Sequence, residues 1–124
     1  MIECLLSIVL SATPQDRYLD AIERIESRGN CNAVGDGGRS LGPYQIQRSY
    51  WKDSGVPGRY EQVRDRAYAR RVVLAHAKRY EPGALRRGDW ETLARLHNSG
   101  PSFRRHMRAT DGYCRKVNQA MVTR

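Results

Sequence analysis

Between Thr13 and Gly29 the chain spells out one amphipathic helix with both ends marked, and that helix runs without a linker into a glycine-rich turn. Thr13 is a helix-capping residue, Pro14 suits the first helical position, and Asp16, three residues after the cap, completes a capping-box pattern. Tyr18, Leu19, Ile22 and Ile25 recur at helical spacing, so one face is apolar. Gly29 is the natural residue just past the end. On this phasing Glu26 lies one step, about 100°, from Ile25 and a turn above Ile22, at the border of the apolar face. A carboxyl beside buried apolar groups has its neutral form favoured, as a general acid working near neutral pH requires.

From Asn30 to Ser40 the chain is rich in glycine and asparagine and reads as a loop or hairpin, with Leu41 to Ile46 as a short returning strand. Asp36 is the acid of this turn. An aspartate there either serves chemistry or caps its own backbone, and both roles stay open. Further on, Ser49 to Asp53 reads as one helical turn, and about Glu61 to Tyr80 as a long helix ended by Pro82-Gly83. Asp89 caps a short helix on which Trp90, Leu93, Ala94 and His97 share a face; the Asn98-Ser99-Gly100-Pro101 turn stops it. A last helix, about Thr110 to Val122, carries Tyr113, Val117 and Met121 as its apolar stripe. The expected class is mainly α with a small β-hairpin or loop element, an α+β fold.

At 124 residues the chain is one domain's worth. No apolar run approaches the roughly 20 residues of a membrane-spanning helix. The formal net charge of +9 favours polyanionic targets. No helix-turn-helix, zinc-finger, RRM or KH pattern accompanies it, so a specific nucleic-acid partner is not expected. Residues 1–12 read as a secretory signal or an N-terminal extension, because Cys4 to Leu10 is apolar and small residues follow, although Glu3 stands where a positive charge is expected. The remaining residues, 13–124, form one domain. Of the three cysteines, Cys4 would leave with a signal; Cys31 and Cys114 then either form one disulfide or stay as two thiols. No CxxC or HExxH spacing exists, so neither metal nor cofactor is expected.

The stretches IESRGNCNAVGDGGRSLGPYQIQRSYWKDSGVPG, LARLHNSGP and DGYCRKV, in that order, closely resemble the invertebrate-type (destabilase-type) lysozymes. The resemblance covers roughly Leu19 to Ala120 and points to a bacterial or phage-related member. It implies a lysozyme-like fold and a muramidase, a secreted or periplasmic glycoside hydrolase cleaving the β-1,4 bond after N-acetylmuramic acid in peptidoglycan. By resemblance Glu26 is the general acid/base and Asp36 the nucleophile or electrostatic stabiliser. Ser40, Tyr44, Gln45, His97 and Asn98 would bind the saccharide. Carboxyl groups about 5 Å apart would give retention, and about 6.5–9.5 Å inversion. A lysozyme inhibitor is an implied partner. His97 also sits on its helix's apolar stripe, where a buried structural histidine is the competing reading, and Trp51 and Trp90 read as core. The chain departs from the family in its few cysteines, in a shorter loop between the carboxylates, and in Gln47 at the lysine-like position of the Gln-Ile-Lys segment, so isopeptide cleavage is not carried over.

Glu26-Ser27-Arg28-Gly29-Asn30 through Gln45-Ile46 is also similar to bacterial lytic transglycosylases, which work with one glutamate. A transglycosylase using Glu26 alone is therefore the alternative enzyme. A non-catalytic basic module that binds cell wall or nucleic acid is the alternative outside catalysis.

Overall fold

The computed structural model describes residues 12–123; apart from Ala12, the segment read as a signal or extension lies outside them. Six α-helices and a three-stranded sheet account for most of the described chain: α1 (Pro14–Ser27), β1 (Val34–Gly35), β2 (Ser40–Leu41), β3 (Ile46–Gln47), α2 (Arg48–Ser54), α3 (Arg66–Tyr80), α4 (Pro82–Arg87), α5 (Trp90–Ser99) and α6 (Met107–Val122). This is the mainly α architecture with a small β element that the sequence implies.

Helix α1 begins as its capping pattern requires. The Thr13 hydroxyl accepts from the Asp16 amide at 3.0 Å, and the Asp16 carboxylate accepts from the Thr13 amide at 3.2 Å. Its end is set by Arg28, whose backbone is left-handed (φ 57°) and whose amide bonds back to the Glu23 and Arg24 carbonyls. Tyr18, Leu19, Ala21 and Ile22 enter the core, where they meet Val72 of α3, Leu93 and Leu96 of α5, and Val117 of α6. Helix α6 packs on both α1 and α5. Trp90 stacks on Tyr18 with ring centroids 5.2 Å apart, and the Trp51 indole donates to the Tyr68 hydroxyl at 2.9 Å; both tryptophans belong to the packing, as expected.

The sheet is antiparallel in the order β1-β2-β3, with Val34 opposite Leu41 and Leu41 opposite Ile46. The single strand expected over Leu41 to Ile46 is therefore two short strands around a turn at residues 42–45. Gly42 makes that turn possible: its φ is +80°, and a Cβ there would lie 2.3 Å from the Val63 carbonyl oxygen. Ser27 ties the end of α1 to the same turn. Its hydroxyl donates to the Pro43 carbonyl at 2.9 Å while accepting from the amides of Gly29 and Asn30.

Two boundaries differ from expectation. The long helix starts at Arg66, capped by the Asp65 carboxylate, because residues 60–64 form a separate 3-10 turn. Pro82 does not simply end a helix; at a first helical position its missing N–H costs nothing, and it starts α4. Cys114 is a buried free thiol whereas Cys31 is disulfide-bonded, so neither open reading holds: the two do not pair with each other, and they are not both thiols. The reason is placement, since Cys114 lies on the core face of α6 with its sulfur 3.8 Å from the Glu91 carbonyl oxygen.

Gly42→Ala is expected to lose about 2–4 kcal/mol of unfolding free energy, the combined cost of a left-handed alanine and an overpacked contact. Urea denaturation measures it, and wild-type stability in the variant would contradict the tight approach to Val63.

Candidate active site

A cleft of about 550 Å³ opens where the end of α1, the sheet, α2 and the C-terminal end of α5 meet. Glu26 reaches it from the last turn of α1 and Asp36 from the turn after β1. Ser40, Gln45, His97 and Asn98 also line it, so the topology gathers these residues into one depression.

The Glu26 carboxylate is half-buried and held on one side. The Tyr113 hydroxyl, arriving from α6, donates to Oε2 at 2.7 Å, and His97 Nε2 lies 3.6 Å from the same oxygen. Oε1 takes no hydrogen bond from the described residues. Burial first, and the nearby Glu26 carboxylate second, push the Tyr113 hydroxyl well above its ordinary range, so Tyr113 is a donor throughout the working pH range.

His97 is locked in one tautomer by its partners. Its Nε2 lies 3.1 Å from the Tyr44 carbonyl oxygen, which can only accept, so Nε2 carries the hydrogen. Nδ1 is then the acceptor for the Tyr50 hydroxyl at 2.8 Å. Burial lowers its pKa, with the Glu26 charge and the Tyr44 carbonyl opposing, so the ring is neutral and its approach to Glu26 is not an ion pair. The structural reading of His97 and its place on the cleft wall thus hold together.

Asp36 has a left-handed backbone (φ 51°), as does Gln45 (φ 51°), and both line the cleft. Positive φ at residues other than glycine is a strained choice that clusters at functional sites; Asp tolerates it better than most. The Asp36 carboxylate accepts a hydrogen bond from the Ser40 hydroxyl at 2.5 Å through Oδ2, and the Asp36 carbonyl accepts from Arg39 Nε at 3.1 Å. Ser40 is therefore committed to aiming Asp36. Gln45 spends its amide N–H groups on the carbonyls of Ala33 and Gly42. Gly35 leaves the room for it, since a Cβ there would sit 2.3 Å from Gln45 Oε1.

Tyr44 corrects the expectation made for it. Its ring has no exposure and does not line the cleft. The phenol instead reaches across the core, donating to Glu23 Oε1 at 3.1 Å and accepting from Arg70 Nε at 2.9 Å. Arg66 Nε donates to the same Glu23 oxygen at 2.7 Å, so a buried charged network holds the ring inward. Only its backbone carbonyl serves the site, as the acceptor for His97.

Tyr50, Asp53 and His76 line the cleft without having been singled out, Gln47, noted in the sequence only as a departure from the family, lines it too, and Tyr113 touches Glu26 from 87 positions along the chain. The signal for Tyr113 lay in its stripe on α6, which says only that the face is covered. His76 stacks face to face on Tyr50, with ring centroids 3.7 Å apart and planes 4° from parallel. Its Nδ1 is buried without a hydrogen-bond partner among the described residues. No helix among those residues is long and apolar enough to cross a membrane.

No protein-family model matches the chain. It is similar to two curated proteins from oysters. The protein called Lysozyme 1 in Crassostrea virginica is 39% identical over 80 residues, covering 63% of this chain and 43% of that protein. The protein called Lysozyme in Magallana gigas is 38% identical over 82 residues, covering 64% of this chain and 59% of that protein. The chain thus spans about half the length of the curated relatives it matches.

Burial, with His97 adding to it, lowers the His76 pKa from 6.5 to about 4. Between those values the unfolded chain binds more protons than the folded one, so stability falls as the pH drops from about 6.5 through about 4. His76→Phe keeps a ring on Tyr50 and removes the titration. Its melting temperature is expected to fall less than that of the wild type across this window; parallel curves would mean that His76 is not held neutral.

Proposed function

We propose that the chain is the catalytic part of an exported muramidase of the invertebrate lysozyme type, hydrolysing the glycan strands of peptidoglycan. The observation that carries this reading is the pair of carboxyls in one cleft, held in different ways. Glu26 is half-buried, tied through Oε2 to Tyr113 and with Oε1 left to a ligand; Asp36 is exposed on a polar turn. The similarity to two proteins named lysozyme adds independent support.

In this mechanism Oε1 of Glu26 carries the proton delivered to the glycosidic oxygen, because Oε2 is already taken by the Tyr113 hydroxyl. Asp36, ionised, meets the positive charge that develops at the sugar carbon, either by attacking it or by stabilising it. Neutral His97 takes no proton in the step; both of its nitrogens are occupied. It holds the wall beside Glu26 and, with Asn98, flanks the strand. The charge of +9 draws the enzyme to an anionic wall.

A lytic transglycosylase is the second reading, favoured by the engagement of Asp36 with Ser40. There Glu26 acts alone, and the muramic 6-hydroxyl replaces water as the attacking group.

Lysis of purified peptidoglycan separates the two. Glu26→Gln is expected to lower turnover by roughly 10²–10⁴-fold, the usual worth of a general acid, with Asp36→Asn also severely impaired and both variants folded. Full activity in Glu26→Gln would remove both readings. An active Asp36→Asn that releases 1,6-anhydro sugars would select the transglycosylase. Tyr113→Phe is expected to lower kcat about tenfold or more while KM stays near the wild-type value, as for the loss of one hydrogen bond to a charged group; unchanged kcat would free Glu26 from its dependence on α6.

A further inference from the structure

A second groove, of about 330 Å³, lies beside the cleft and is lined by Gly38, Arg39, Gln47, Arg48, Ser49 and Tyr60. Gln47 and Ser49 also line the cleft, so the two depressions share a wall. Their chemistry differs. The cleft carries the carboxylates of Glu26, Asp36 and Asp53, whereas the groove has none and presents two guanidinium groups.

Both guanidiniums are held in place by uncharged partners. Arg48 lies over the Tyr60 ring, 4.6 Å from its centroid. That ring is itself fixed, 6% exposed, with its hydroxyl 2.6 Å from the Ile46 carbonyl oxygen. Arg39 is pinned through Nε to the Asp36 carbonyl. Several other arginines that the fold engages are neutralised: Arg66 and Arg70 by Asp20, Arg95 by Glu91 and Asp111, Arg104 by Glu81. Arg39 and Arg48 form no ion pair among the described residues. A guanidinium already oriented by stacking or by a carbonyl, and still lacking a counter-charge, has little entropy left to lose when it binds a planar oxyanion.

We infer that the Arg39–Arg48 groove binds a carboxylate of the peptide branches carried by the glycan. The choice of ligand rests on the muramidase reading. Because the two depressions share the Gln47–Ser49 wall, the groove is within reach of a substituent on a strand seated in the cleft, and on muramic acid the substituent is a lactyl-linked peptide rich in carboxylates. Two fixed forks accept such a group through paired N–H···O bonds. Phosphate of a wall polymer on the same glycan offers similar charge, and the test separates it.

The measurement compares wild type, Arg48→Gln and the double variant Arg39→Gln/Arg48→Gln on three materials: intact walls, walls freed of phosphate polymers by acid, and glycan stripped of peptides by an amidase. Arg48→Gln alone leaves the brace on Asp36 untouched. The expected result is a KM about tenfold higher for Arg48→Gln on both peptide-bearing materials, the worth of a charge-assisted pair, with a change under about twofold on stripped glycan; the double variant, which also loses the brace on Asp36, is read by binding alone. Equal loss on all three, or no loss on any, overturns the proposal. Loss confined to phosphate-bearing walls overturns it in favour of phosphate. Co-sedimentation with the same materials needs no turnover: binding that depends on peptide and on the arginines, without cleavage, would remove the muramidase reading and keep the groove. Cleavage without that dependence would do the reverse.

Discussion

Tyr44 is the residue on which the arrangement of the cleft depends. Its side chain and its backbone serve different masters. The phenol is drawn through the core to Glu23 and Arg70, where Arg66 and Asp20 complete a network linking α1 to α3. That attachment fixes the turn between β2 and β3, and with it the carbonyl that receives His97 from α5. Breaking a buried pair such as Arg66–Glu23 leaves an uncompensated charge. The network is therefore a constraint on geometry as well as a source of cohesion: α1, α3, α5 and the sheet are all referred to one residue.

The consequence for chemistry is a clear division of labour. Both histidines of the cleft are neutral, one through burial and a complete set of partners, the other through burial with one nitrogen unpartnered. Tyr50 and Tyr113 are held protonated by their surroundings. What remains to exchange protons or answer a developing charge is carboxylate. In a cleft that also contains Asp53, it is the contacts of each carboxyl that distinguish them: a phenol for Glu26, a serine hydroxyl for Asp36, and the Tyr80 hydroxyl for Asp53.

The parts that could be read from the sequence are those with local causes. The Thr13 capping box, the apolar stripe of α1 and the glycine turn depend on neighbours within a few residues, and they form as expected. The start of α3 and the existence of α4 were hidden because Asp65 and Pro82 each signal either an end or a beginning, and only the tertiary context chooses. Of the site, Glu26, Asp36, Ser40, Gln45, His97 and Asn98 were picked out by motif and do meet at one cleft. Tyr44 was misjudged because an aromatic beside a cleft and an aromatic beneath it have the same local sequence. Tyr113 and His76 were missed for a related reason, since their importance comes from partners on other helices.

Cys114 has a bearing on this that goes beyond packing. It lies one residue from Tyr113, is 3% exposed, and its thiol is pushed up by burial, so neither the thiolate nor an oxidant has access. The helix that carries the grip on Glu26 is thus joined to α1 and α5 by packing and by polar contacts, among them those of Arg95 with the Met107 carbonyl, Thr110 and Asp111, and Cys114 adds no covalent tie. At α6 the redox state of the surroundings has no lever on the carboxyl; heat and denaturant, which act on packing, do.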